Sequence, residues 1–405
     1  MKMIPGMRSL LYSGDLLAVD LGTFAVKVLS LSVKSKKVAV LGSVSREVWR
    51  ELAAAKTQNE KNEVYMGALR ELVAKGGFKT RNAAISLSGN TVIVRFLALP
   101  AGFNPKQGAG LPAQARALIP FEEADVDVST QLLDGPEGGR KPRQEMMLMS
   151  ALKKTVQDCM QIARMAGLRP AVIVNDTLAM ADAYSFFEAK KAGETAVLVS
   201  VGASSTSVSV VENGVPKAAR VVNIAGNAFS RAIKRDFEID IEEAEKLKIA
   251  YGLSAPQDSS GADPVRARVA RALKPVVKEL SAEIQRTIEV FLERRPSDYP
   301  PILRIVLAGG SSELKGLPDR LAADTGMIVQ IFRPLINISS KTGRVVSAPL
   351  SPVFAASCGL CVRNALLLRS RSARVNLVPR MERRSAVIRD ISPGFWRKLA
   401  APVFV

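Results

Sequence analysis

The sequence predicts an α/β protein made of two similar halves that close on one ligand, and three stretches carry that expectation. Leu16–Ser32, LLAVDLGTFAVKVLSLS, is an apolar run that stops at Asp20, turns at Gly22 and Thr23, and resumes as a second apolar run: a strand, a tight turn and a strand. Thr195–Val211, TAVLVSVGASSTSVSVV, repeats the plan. Its turn holds Gly202, Ser204, Ser205 and Thr206, and the strand that leaves it alternates Val208 and Val210 with Ser207 and Ser209. Two hydroxyl-lined hairpins about 180 residues apart suggest an internal repeat. In the third stretch, Ile305–Leu317, IVLAGGSSELKGL, a strand runs into Gly309, Gly310 and Ser311 and then into a helix, which lets a backbone pass close to a flat base or a phosphate.

The first tip carries a carboxylate (Asp20), a glycine that admits backbone N–H groups (Gly22), a hydroxyl (Thr23) and an ammonium (Lys27). That set suits a polyphosphate with its magnesium, although Asp-x-Gly-Thr is also the tip of an ordinary hairpin. In order, the three stretches resemble the phosphate-1, phosphate-2 and adenosine motifs of the actin-like ATPases. Within that superfamily the pattern is similar to the PilM family, cytoplasmic actin-like proteins of type IV pilus assembly, and more distantly to the cell-division protein FtsA. The likeness covers residues 16–363. It implies an actin-like (ribonuclease H-like) two-domain α/β fold around a nucleotide cleft, with ATP and Mg as cofactors. Asp20 would hold Mg through water, and Asp20 and Asp176 would be the catalytic carboxylates. The phosphate-2 stretch departs from the pattern, because Ser200 stands where family members commonly carry Asp. Serine brings no charge to the reacting phosphate, so ATP binding with weak or absent hydrolysis is expected.

After the first hairpin, residues 38–49 continue as strand, and residues 62–75 place Val64, Ala68, Leu69, Leu72 and Val73 on one helical face. Residues 82–88 and 91–99 read as two strands about a Gly89-Asn90 turn. Residues 91–170 form a candidate inserted subdomain, with a helix at 111–118, a loop with acidic flanks at 122–143, a strand at 145–151 and a helix at 154–166. FtsA and PilM carry a small subdomain at this place, which separates the pattern from sugar kinases and heat-shock chaperones. In VIVNDTLAMADAY, residues 172–184, a strand meets a helix through Asn175, Asp176 and Thr177. A carboxylate there is ordinarily a helix cap; the resemblance instead implies that Asp176 orients the attacking water.

In the second half, Gly226 opens a helix whose N–H groups could face phosphate. Asp240 starts the next helix, on which Glu245 and Lys248 lie one turn apart. The resemblance implies that this pair meets ribose and adenine; an ordinary solvated helix is the alternative. Residues 265–294 form a long amphipathic helix, 329–332 a strand and 351–368 a closing helix. That last helix contains Cys358 and Cys361. Cys159 is the one other cysteine and histidine is absent, so small-residue packing explains the pair better than a metal site does. The expected division is a first domain at 14–194 with its insertion at 91–170, a second at 195–350, the closing helix at 351–372 and a basic tail at 373–405.

Fifty-seven Lys and Arg against 38 Asp and Glu give a net charge of +19. Residues 363–405 alone hold ten basic residues against Glu382 and Asp390. Aromatic residues make up 5% of the chain and no nucleic-acid motif is present, so an anionic membrane or an acidic partner explains the excess better than nucleic acid. No run approaches the roughly 18 apolar residues of a membrane span, and residues 1–14 do not form a secretory signal. The expected place is the cytoplasm, peripheral to the inner face of the membrane. The tail also carries Val375, Asn376, Leu377, Val378 and Pro379. In pilus systems the membrane partner PilN begins with a segment of the form I-N-L-L-P that docks in a groove of PilM, so the resemblance implies a PilN-like partner. It also implies that this VNLVP segment occupies the same groove, in cis or in a neighbouring subunit of a homo-oligomer, or mimics the partner; a floppy basic tail is the alternative. An FtsA-like division scaffold and a sugar-kinase-type phosphotransferase are the alternative functions.

Overall fold

The computed structural model describes residues 16–34, 37–87, 89–99, 113–133, 145–188, 193–253, 263–336, 352–369, 375–379 and 382. One five-stranded sheet consists of β1 (Leu17–Leu21), β2 (Ala25–Lys34), β3 (Lys37–Glu47), β4 (Asn82–Leu87) and β8 (Arg169–Asn175), in the order β3-β2-β1-β4-β8. A second repeats it with β9 (Thr195–Val201), β10 (Thr206–Glu212), β11 (Val215–Val222), β12 (Arg304–Ala308) and β13 (Ile328–Ile331), in the order β11-β10-β9-β12-β13. In each, an antiparallel meander is extended by two parallel strands. The middle strand of the first sheet is buried along its whole length, as its unbroken apolar run requires.

The inserted sheet, β5-β7-β6, is made of β5 (Val92–Ala98), β6 (Val126–Leu133) and β7 (Glu145–Leu152), followed by the helix Lys153–Met165. Three local expectations change. The stretch assigned to an acidic loop contains β6, which pairs with β7 along its whole length; Asp127 shares a strand face with Ser129, Gln131 and the buried Leu133. Residues 82–99 are not a hairpin, because β4 joins the first sheet between β1 and β8 and β5 joins the inserted one. Residues 49–54 are a helix, so β3 stops at Glu47. Residues 100–112 and the tail beyond Pro379, Glu382 excepted, lie outside the described residues.

The inserted sheet also touches the second half through charge. Lys217 of β11 reaches Glu145 of β7 at 2.7 Å, and Arg295 meets Glu145 at 3.7 Å and Glu212 at 3.4 Å, with both cations almost fully buried.

Helices Asp176–Phe187 and Ala355–Arg369 pack face to face, and Cys358 and Cys361 are buried on the second of them. The Cys361 thiol lies 3.5 Å from the Leu29 carbonyl. Among the described residues no group of His, Cys, Asp and Glu could hold a metal, and no helix is long and apolar enough to cross a membrane. The helix contact turns on Gly359, where a Cβ would stand 1.6 Å from the Ala179 carbonyl oxygen. Gly359→Ala is expected to cost about 3 kcal/mol through forced separation of the two helices. Gly67→Ala, with nothing within 4 Å of its Cβ, is expected to gain up to about 1 kcal/mol. Thermal unfolding of the two variants in parallel checks both signs.

Candidate functional site

Sheet register assembles the first tip. Asp20, at the end of β1, stands opposite Lys27 on β2 and Ser86 on β4. Its carboxylate accepts from Lys27 Nζ at 2.7 Å and from Ser86 Oγ at 3.0 Å, and the residue is 7% exposed. The second tip is closed by the Gly202 amide donating to the Ser205 carbonyl at 3.1 Å. The two tips meet directly, with Thr23 Oγ1 donating to Ser204 Oγ at 3.0 Å across 181 residues of chain. Gly89, just after β4, brings its α-carbon side against the Ser205 hydroxyl.

Asp176 closes the floor between the halves. Asn175 caps its helix by accepting from the Thr177 amide at 2.9 Å, so Asp176 is the first helical residue. Its Oδ1 accepts from the Thr177 amide at 2.7 Å and from Ser207 Oγ of the second half at 3.3 Å. Burial, and then the charge of Asp20, push the Asp176 carboxyl up to about 6 against the pull of the Thr177 and Ser207 donors. Burial and the same Asp20 charge push the Tyr65 phenol up to about 12. Ser86 and Ser207 were not among the sequence candidates. Ser207 had a signal in its place on the polar face of β10; Ser86 had none, since its pairing with Asp20 spans 66 residues.

On the opposite wall, several predicted ligand groups are committed to the protein's own backbone. Thr206 is fully buried and donates to the Ile224 carbonyl at 2.5 Å, and Ser311 Oγ donates to the Gly202 carbonyl at 3.0 Å. The amides of Gly226 and Asn227 donate to the Gly202 and Ala203 carbonyls at 3.0 and 2.7 Å. These bonds clamp the second tip onto the helix Gly226–Phe237, so the N–H groups expected to face phosphate hold the turn instead. Gly309 has φ +86°, and a Cβ there would meet the Val201 carbonyl oxygen at 2.4 Å, so only glycine fits; Gly310 follows it. Glu245 Oε2 accepts from Lys248 at 2.6 Å and from Ser230 at 2.5 Å, and Lys248 also reaches the Gly226 carbonyl at 3.3 Å. Burial lowers the Lys248 ammonium from its ordinary range against the raising effect of Glu245. Ser200 sits on β9 between Ser207 of β10 and Ala308 of β12.

A second site lies at the far edge of the first sheet. The Val375–Pro379 segment is seated between β8 and β6, the outer strands of two sheets, with Val375, Leu377 and Val378 in the first half's apolar core. The Leu377 amide donates to the Ile173 carbonyl at 2.9 Å. The Asn376 side chain accepts from the Ile173 amide and donates to the Ala171 carbonyl, both at 3.0 Å. From β6, Ser129 and Gln131 accept the Asn376 and Val375 amides at 2.9 and 3.3 Å. Arg363, which the charge reading assigns to the basic tail, is 2% exposed; it bonds Asp182 on the helix Asp176–Phe187 and the Val375 carbonyl.

Two sheets of one plan, hairpin tips in contact across a cleft and a glycine-turned strand on the opposite wall define an actin-like two-domain fold. The chain belongs to the PilM family: the model described as type IV pilus assembly protein PilM matches residues 18–365. The sequence is 30% identical over 179 residues to cell division protein FtsA of Rhizobium meliloti (strain 1021), covering 40% of this chain and 39% of that one. It is 28% identical to FtsA of Agrobacterium fabrum over the same shares, so the chain spans 39% of the length of these relatives. Among solved structures, a PilM–PilN type IV pilus biogenesis complex contains a chain of 24% identity and TM-score 0.68, covering 87% of this chain and 98% of that one. The ethanolamine utilization protein EutJ of Carboxydothermus hydrogenoformans follows at 15% identity and TM-score 0.50, covering 86% and 90%. At these identities the structural likeness speaks to fold.

The raised Asp176 carboxyl sets a pH dependence. Its folded value exceeds the ordinary 3.8, so the stability it lends is fully present below pH 3.8 and is lost as pH rises through 6. Asp176→Asn removes this loss. The variant is expected to gain on the parent between pH 4.5 and pH 7.5, by about 2 kcal/mol, as measured by urea unfolding at both pH values.

Proposed function

We propose that the protein is an ATP-binding scaffold of the type IV pilus inner-membrane platform, which binds the short cytoplasmic segment of a PilN-like membrane partner. The observation that carries the nucleotide half is the 3.0 Å bond between Thr23 and Ser204, because it places both hydroxyl tips at one point. Gly22, Thr23 and Lys27 from one side and Gly202, Ser204 and Ser205 from the other would hold the phosphates. Glu245 and Lys248 would hold the ribose and base, with Gly309 and Gly310 giving the base a close backbone. The donor set fits. Ser230 and Lys248 both donate to Oε2 of Glu245, and Oε1 would accept a sugar hydroxyl. Asp20 is already matched by Lys27 and Ser86, which suits contact with Mg through water. Bound ATP would supply a phosphoanhydride and a negative charge, which the tip residues would hold. Asp176 accepts a proton from water or orients it, but Ser200 adds no charge beside it, so turnover is slow.

The helix Asp176–Phe187 begins in the cleft and, six residues on, presents Asp182 to Arg363, which bonds the carbonyl of Val375. Closure of the cleft therefore acts on the same helix that supports the peptide seat, and this is how nucleotide would alter partner binding. The basic tail would add peripheral contact with an anionic membrane.

A single-turnover assay with labelled ATP and Mg tests the reading. Retained nucleotide with little released phosphate is expected, and Ser200→Asp is expected to raise release about tenfold or more. A chain that retains no ATP would leave the nucleotide out of the mechanism. The full chain is expected to sediment with anionic vesicles at low salt and to be released at high salt; sedimentation indifferent to salt would remove the electrostatic contact.

A further inference from the structure

The segment Val375–Pro379 is seated as a ligand would be. It covers the main-chain edge of β8 and meets β6 through the Ser129 and Gln131 side chains, and a sheet edge such as that of β8 is otherwise open to any added strand. Its main-chain bond to Ile173 would serve almost any sequence, whereas the Asn376 amide reads the β8 edge with both its oxygen and its nitrogen. An aspartate could accept from Ile173 but could not donate to Ala171, and an alanine could do neither. The same oxygen accepts the Val378 amide at 3.0 Å, which shapes the segment around its own asparagine. Pro379, exposed and without an N–H, ends the pairing.

We propose that this seat is a peptide-exchange site for segments of the form apolar–Asn–apolar–apolar–Pro, occupied at rest by the chain's own copy and opened to a second peptide only by displacement. A vacant seat would expose the β8 edge, the apolar floor under Val375, Leu377 and Val378, and the buried Arg363–Asp182 pair, so exchange is favoured over vacancy. The resident begins six residues after Arg369, and so short a tether keeps its effective concentration in about the millimolar range, which excludes an untethered competitor at ordinary concentrations. The inference rests on the preceding reading only for which protein supplies the second peptide.

The probe is a fluorescent peptide copying residues 373–382, measured by anisotropy against three forms of the full chain. The parent chain is expected to bind it poorly. A chain carrying Asn376→Ala and Leu377→Asp, whose resident no longer fits, is expected to bind at least tenfold more tightly. A third form has a protease site inserted between residues 370 and 374. It keeps the natural resident and is expected to take up the probe after cleavage and not before; it remains the test if the double variant fails to fold. A probe with alanine for asparagine is expected to bind none of the three. Equal binding to parent and cleaved chains, or none to a cleaved chain that stays folded, overturns the proposal. Uptake of the probe by a cleaved chain that retains no ATP in the single-turnover assay would count against the nucleotide half of the preceding reading and leave this one standing.

Discussion

A buried ion pair, Arg363 with Asp182, ties together two packed helices and the seated segment that follows them. Both residues are almost fully buried, at 2% and 3% exposure. The pair ties the closing helix to the helix that begins at the cleft, and the other guanidinium nitrogen donates to the carbonyl of Val375. Removing one partner from such a pair strands a charge without water, a penalty on the order of 3–5 kcal/mol. The close approach at Gly359 brings the two helices near enough for the side chains to meet. A glycine, an ion pair and a seated peptide thus form one mechanical unit under the first sheet.

The cleft follows a similar economy of bonding. Thr206, Ser311 and the amides of Gly226 and Asn227 hold the second tip rigidly on its helix. Thr23, Ser204 and Ser205 are left at the surface of contact between the halves. Groups that fix the loop and groups available to a ligand occupy the same few residues of sequence, and only the fold separates them.

That separation explains what could be read in advance. The two hairpins and the glycine-turned strand were legible because their signals are local: apolar runs broken by polar turns, repeated at the same places in each half. The strand β6 was not, since Asp125 and Asp127 made its alternation look like an acidic loop until β7 supplied a partner. Asp20 was legible as a tip carboxylate, but its partner Ser86 required knowledge that β4 inserts beside β1. Arg363 was counted with the basic tail, because its burial depends on Asp182, 181 residues away. The VNLVP segment was legible as a docking sequence from its pattern, while the reason for its asparagine emerged only from the spacing of Ala171 and Ile173 along an open strand edge.

The contact of Glu145 with Lys217 and Arg295 gives the inserted sheet a further consequence. This sheet shares the apolar core of the first half yet meets the second half through two cations that lie almost wholly out of water. Counterions screen exposed charges over about 8–10 Å but reach such enclosed pairs poorly. Ionic strength is therefore a weak lever on the spread of the two halves. A movement that widened the cleft at this point would have to hydrate these three side chains together, so the inserted sheet behaves as a catch that yields in one step.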